Sequence, residues 1–141
     1  MKFIKLNNGV EMPMQGIGTF LLSPDEAEAS ATYALKNGCQ LIDTANAYCN
    51  EKAVGRAMKN AGIDRKNIFL ETKLWPSFYE QDDAVDKTLE RLQTDYIDLL
   101  LIHQPAGNYM QDISKWKMHT RKARFVQSVF QTLTKSRLAK S

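Results

Sequence analysis

Apolar positions follow two rhythms along the first hundred residues. In three stretches they recur every three to four residues, the spacing of a helix with one buried face. Between these lie short, nearly continuous apolar runs, which suit strands buried on both faces. The helical stretches are predicted at 24–37, 50–61 and 81–92. Ser23 and Glu26 make a capping box for the first, with Pro24 at the first helical position and Gly38 as its stop. The second places Ala53, Val54, Ala57 and Met58 on one face and stops at Gly62, and the third turns Ala84, Val85, Leu89 and Leu92 inward. Strands are predicted at 41–43, 68–73 and 97–103, with a short buried strand at 14–18. Ahead of them, apolar runs at 3–6 and 10–12 flank Asn7-Asn8-Gly9, a hairpin signal because Asn and Gly tolerate positive φ.

The order is a hairpin followed by β-α-β-α-β-α-β. Such alternation predicts an α/β fold with a parallel sheet and right-handed crossovers. Two architectures satisfy it, an open doubly wound sheet and part of a (β/α)8 barrel. In both, ligands sit at the C-terminal ends of the strands. Asp43, Lys73 and His103 each end a predicted strand, and Tyr48 lies in the loop after one. All four are therefore expected on one rim.

Those residue types together suit carbonyl reduction, which needs a proton on oxygen as well as a hydride on carbon. A free tyrosine, with a pKa of ~10, is a poor proton donor near neutrality. An adjacent lysine ammonium favours the phenolate, and a buried lysine needs a counterion such as an aspartate. Singly, each residue has a plainer reading: a loop tyrosine, a solvated lysine, an aspartate capping the next turn, a rim histidine. Gly16-x-Gly18 lacks the third glycine of a dinucleotide fingerprint, and no phosphate-binding loop or zinc motif occurs.

Taken together, these segments resemble the N-terminal half of an aldo-keto reductase. The resemblance rests on Gly16-Ile17-Gly18-Thr19-Phe20, on Leu41-Ile42-Asp43-Thr44-Ala45 with Tyr48 and Asn50-Glu51, and on Thr72-Lys73-Leu74-Trp75. It extends through Leu92-Gln93-Thr94-Asp95-Tyr96-Ile97-Asp98-Leu99 and Leu101-Ile102-His103, and so covers residues 1–110. Cys49 stands where the family often has glycine. The resemblance implies the N-terminal half of a TIM barrel that reduces aldehydes and ketones with NADPH. It implies Tyr48 as proton donor, Lys73 tuning it, Asp43 holding Lys73 and His103 orienting the carbonyl. It further implies Gly18, Thr19, Phe20 and Asp43 as cofactor contacts, and Phe20, Trp75 and His103 as the substrate wall, with no metal.

Charge changes the picture beyond Met110. Residues 1–110 carry 11 Lys/Arg and 15 Asp/Glu, whereas 111–141 carry 8 Lys/Arg and one Asp. A nucleic-acid or membrane arm is one reading of that tail. The genetic code offers another. Read one base out of frame, Trp116-Lys117 must encode Glu and Met118-His119 must encode Ala. Permitted codons then spell Ala-Tyr-Lys-Glu-Gly-Lys-Val followed by Ala-Ile-Gly-Leu-Ser-Asn, which resembles the family's next helix and strand. The expectation is a one-base deletion at the Met110/Gln111 junction, an out-of-frame tail over 111–141, and a truncated chain inactive alone. The alternatives are a self-assembling half-barrel and a non-enzymatic module that binds nucleic acid through the tail.

Cys39 and Cys49 fit neither a metal spacing nor a disulfide framework, so two reduced thiols in a cytoplasmic protein are expected. The N-terminus lacks the apolar stretch of a signal peptide, and no membrane partner is expected. The expected partner is a small carbonyl substrate and not nucleic acid, with full-length relatives monomeric and this fragment prone to self-associate.

Overall fold

The computed structural model describes residues 2–6 and 9–106. The predicted out-of-frame tail lies outside the described residues, as do Asn7 and Asn8 of the hairpin turn. Strands β1 (Phe3–Lys5) and β2 (Glu11–Pro13) pair antiparallel, with Ile4 opposite Met12. Gly9 enters β2 at φ 85°, a conformation glycine adopts without steric cost.

Four strands then form one parallel sheet in sequence order: β3 (Ile17–Gly18), β4 (Leu41–Asp43), β5 (Phe69–Leu74) and β6 (Leu99–Ile102). Helices α1 (Pro24–Lys36), α2 (Glu51–Ala61) and α3 (Ala84–Leu92) provide the crossovers. This is part of an α/β barrel. The capping box at Ser23 forms, with the Ser23 hydroxyl accepting from the Glu26 N–H and the Glu26 carboxylate accepting from the Ser23 N–H. Helix α2 ends at Gly62 with φ 69°.

Strand alternation divides the apolar residues between two faces. Ile42, Leu70, Leu74, Leu100 and Ile102 pack outward on the helices, against Leu35, Val54, Ala57, Val85 and Leu92. Leu41, Phe69, Leu99 and Leu101 form the inner face, and Leu6, Val10 and Met12 of the hairpin pack against them. The hairpin thus covers the lower end of the inner face, and polar chemistry is left to the upper end.

Two expectations are corrected. The predicted buried strand at 14–18 is only two residues long and not buried, because β3 is an edge paired only with β4 among the described strands. The third helix begins at Ala84 rather than at 81, since Asp83 occupies the N-cap without a side-chain cap bond and Gln81–Asp83 form a turn. Three short 3-10 turns, Asn46–Tyr48, Arg65–Asn67 and Pro76–Phe78, have no periodicity that sequence could reveal.

Gly55 is the point where α2 meets the end of α3. A Cβ there would lie 2.7 Å from the Leu92 carbonyl oxygen. Gly55→Ala is therefore expected to destabilise the fold by ~1–3 kcal/mol despite the better helix propensity of alanine, because backbone must move to admit the methyl. Urea denaturation checks this; a stabilised variant would show that the helices have room to part.

Candidate active site

The upper rim of the inner face collects three strand-end side chains, Asp43, Lys73 and His103, and Tyr48 from the turn after β4. After Asp43 the chain runs extended through Ala45 and folds into the Asn46–Tyr48 turn, which brings Tyr48 back over the strand ends. Cys49 closes that turn at φ 58°, in the left-handed region, which accounts for the fitness of glycine at this position. One strand over, Lys73 lies on the same face as Phe69 and Glu71. The ladder continues past β6, where the His103 N–H donates to the Leu74 carbonyl at 3.0 Å.

Lys73 is wholly buried. Its ammonium forms an ion pair with Asp43 and donates to the Thr44 carbonyl oxygen at 3.0 Å. The same nitrogen lies 5.3 Å from the centre of the Tyr48 ring. Tyr48 meets His103 edge-on at 5.7 Å and Phe20 at 5.0 Å, and His103 meets Trp75 edge-on at 4.9 Å. Phe20, Tyr48, His103 and Trp75 thus form an aromatic arc over a buried ammonium. Phe20 is 63% exposed and Trp75 36%, so the arc is open to an incoming molecule. Burial, reinforced by the Lys73 charge, holds the His103 imidazole below its ordinary pKa, with Asp43 opposing.

The structure brings together Asp43, Tyr48, Lys73, His103, Phe20 and Trp75. Gly18 stands at the same edge, pairing with Asp43 across β3 and β4, and a Cβ there would meet nothing within 4 Å. Thr19 is different. It is fully buried and its hydroxyl hydrogen-bonds Thr44 at 2.8 Å and Asn50 at 3.3 Å. Its side chain faces inward and supports the rim from below.

The comparisons decide the ancestry. The family model for the Aldo/keto reductase family matches residues 15–137. The chain belongs to this family. It is 42% identical over 117 residues to morphine 6-dehydrogenase of Pseudomonas putida, which covers 81% of this chain and 40% of that protein. Its fold superposes on an aldo/keto reductase from Brucella melitensis with TM-score 0.85 at 39% identity, covering 99% of this chain and 58% of that one. An aldo-keto reductase of Bombyx mori, solved in complex with NADP, gives TM-score 0.79 at 29% identity over 87% of this chain and 48% of that one. The chain spans about 40% of the length of the curated relatives it matches.

Within this reductase fold, three groups of residues escaped the sequence reading of the site. Asn50 is a hub: its amide donates to the carbonyls of Thr19 (2.8 Å) and Leu22 (3.0 Å), while its oxygen accepts from Thr19 and Thr44. It thereby holds the turn that carries Phe20, in which Leu21 sits at φ 61°. The Asn46 side-chain oxygen accepts from the Trp75 N–H at 2.9 Å, tying the tyrosine turn to the tryptophan. The third is Glu71. Asn50 belonged to a recognised motif but had no assigned role. Glu71 could have been found from period two alone, as a carboxylate sharing the Lys73 face of an otherwise apolar strand.

Glu71 is 9% exposed, and burial together with the Asp43 charge raises its pKa to about 7, with Lys73 acting in the opposite sense. An unfolded glutamate titrates near its ordinary value of 4.5. The folded state therefore holds this proton more tightly, and the associated stability is present below the unfolded pKa and lost as pH rises through 7. At about 1.4 kcal/mol per unit, the loss is on the order of 3 kcal/mol. Glu71→Gln is expected to remove that component. Urea titrations of both proteins at mildly acid and neutral pH check it; parallel pH dependences would refute it.

Proposed function

We propose that this chain carries the proton-delivering half of a carbonyl reductase that converts small aldehydes or ketones to alcohols. The observation that carries the reading is the buried Lys73 ammonium, held by Asp43 and the Thr44 carbonyl beneath Tyr48. In this reading Tyr48 gives its hydroxyl proton to the carbonyl oxygen. Lys73 offsets the negative charge that then develops on the phenol oxygen, and Asp43 offsets the cost of burying the ammonium.

His103 orients the carbonyl. Its depressed pKa keeps the imidazole neutral near pH 7, and its Nδ1 is buried without a hydrogen-bond partner among the described residues. An unpaired lone pair costs less there than an unpaired N–H, so the proton belongs on Nε2, which becomes the donor toward substrate oxygen. Phe20 and Trp75 supply apolar walls.

NADPH is the proposed cofactor. Gly18, whose backbone is uncovered, Thr19, Phe20, whose ring is exposed, and Asp43 are the residues that would hold its reactive end. When bound, a reduced nicotinamide supplies the hydride. We place the protein in the cytoplasm, consistent with the free thiols of Cys39 and Cys49. Among the described residues, no helix is long and apolar enough to cross a membrane, and no cluster suits a metal ion.

The test is loss of reduced nicotinamide on mixing the protein with NADPH and a panel of small aldehydes and ketones, over a range of protein concentrations. Turnover that requires the carbonyl compound supports the reading. No carbonyl-dependent turnover at any concentration removes the self-assembling, active half-barrel, and turnover that survives Tyr48→Phe refutes the reading.

A further inference from the structure

The proton-delivery scheme uses one carboxylate, Asp43, yet the inner face holds two. Glu71 pairs in register with Asp43 across β4 and β5 and stands two residues below Lys73 on the same strand face. On its other side its register partner is Leu99, and Phe69 lies below it. Among the described residues its carboxylate makes no hydrogen bond or ion pair. Among the described residues, the charges that act on this largely buried carboxylate are those of the adjacent ion pair, Asp43 and Lys73.

We propose that Glu71 is a positioning residue acting through Lys73: its carboxyl is a second claimant on the ammonium that Asp43 holds, and the proton on Glu71 decides how much of that charge is left for Tyr48. With Glu71 protonated, Lys73 and Asp43 form a neutral pair under the phenol. With Glu71 ionised, two carboxylates share one ammonium and the cluster carries a net negative charge, which opposes negative charge on the Tyr48 oxygen. The charged and titratable groups facing Glu71 are Asp43 from β4 and Lys73 from β5, with Tyr48 and His103 at the rim above. Strand β6 presents Leu99 and Leu101, and the hairpin presents apolar residues to the inner face, with Lys5 and Glu11 at a cavity beneath Phe69. The raised pKa of Glu71 places its proton exchange near neutrality, where it can act.

The inference rests on the reading of Tyr48 and Lys73 as a proton-delivering pair, but its decisive readout does not require turnover. Lysine side chains are labelled with 13C at Cε, and the buried Lys73 signal is followed across the neutral range in the whole chain. A single step with its midpoint at about 7 is expected in the wild type. The step should vanish in Glu71→Gln and in Glu71→Met, and it should move to lower pH in Asp43→Asn, where Glu71 inherits the ammonium. A merely structural Glu71 would not impose that step on Lys73. A wild-type Lys73 signal that does not titrate overturns the proposal, as does an identical step in both Glu71 variants. Where reduction is measurable, kcat/KM should fall through neutrality in the wild type and not in Glu71→Gln; an equal fall in both overturns it. Because the Lys73 step is read without turnover, turnover that survives Tyr48→Phe would sink the reductase reading and still leave the Glu71 assignment supported.

Discussion

Tyr48→Phe is expected to lower kcat for carbonyl reduction by ~10²–10⁴-fold, the range for loss of a positioned proton donor. The substitution removes only the hydroxyl. The ring keeps its contacts with Phe20 and His103 and its place 5.3 Å from the Lys73 nitrogen. Stability should therefore change by less than about 1 kcal/mol, and KM should change much less than kcat, because the lost interaction serves the transition state. Steady-state kinetics paired with urea denaturation of the same preparations separate the two effects. Equal turnover in Tyr48→Phe and wild type would falsify the assignment of Tyr48 as the acid. A large loss of stability instead would show that the hydroxyl holds the turn rather than the chemistry.

Away from the rim, the largest effect is expected from Arg91→Ala, which should cost ~3–5 kcal/mol. Glu51 opens α2 and is 2% exposed. One of its oxygens accepts from the Thr72 hydroxyl at 2.8 Å and the other from Arg91 Nε at 2.6 Å, while Arg91 also donates to the Thr88 hydroxyl at 3.0 Å. A single carboxylate thus joins α2, α3 and β5, one residue from Lys73. Burial pushes the Glu51 carboxyl up, and the Arg91 and Thr72 bonds hold it down. Removing Arg91 leaves only the Thr72 bond to oppose burial. Because the folded pKa then rises further above its unfolded value, the deficit should be larger at neutral pH than in mild acid. Glu51→Gln in the Arg91→Ala background should recover part of the loss. The exposed pair Arg56–Glu28 is the contrast: Arg56→Ala should cost under about 1 kcal/mol. Denaturation of the three variants and the wild type at two pH values tests the scheme, and a loss for Arg91→Ala no greater than for Arg56→Ala would defeat it.

The physical origin of these expectations shows how much could be read without coordinates. Helix α1 was legible because its signals are local: Ser23, Pro24 and Glu26 lie within one turn and satisfy backbone groups of that same turn. The buried faces of α2 and α3 follow from apolar spacing within each segment. Asp43, Lys73 and His103 could be placed on one rim because parallel strands present their C-terminal ends to one side. What failed was non-local. Strand 14–18 was read as buried from its residue types, but burial of a strand depends on neighbours elsewhere in the chain. The bonds that turn the Thr19 side chain inward, to Thr44 and Asn50, are likewise set by residues distant in the chain or in another element.

The sequence by itself determined the helices, the hairpin, the parallel character of the sheet and the residue types at the strand ends, because capping, periodicity and turn chemistry act over a few residues. Only the tertiary structure decided which of those residues serve the rim and which support it. The Asn50 hub, the Glu51–Arg91 bridge and the pairing of Glu71 with Asp43 join residues 21 to 40 positions apart or lie across strands. Hydrogen bonds and buried charges are set by distance in space and by the exclusion of water, and neither is written in the spacing of residues along the chain.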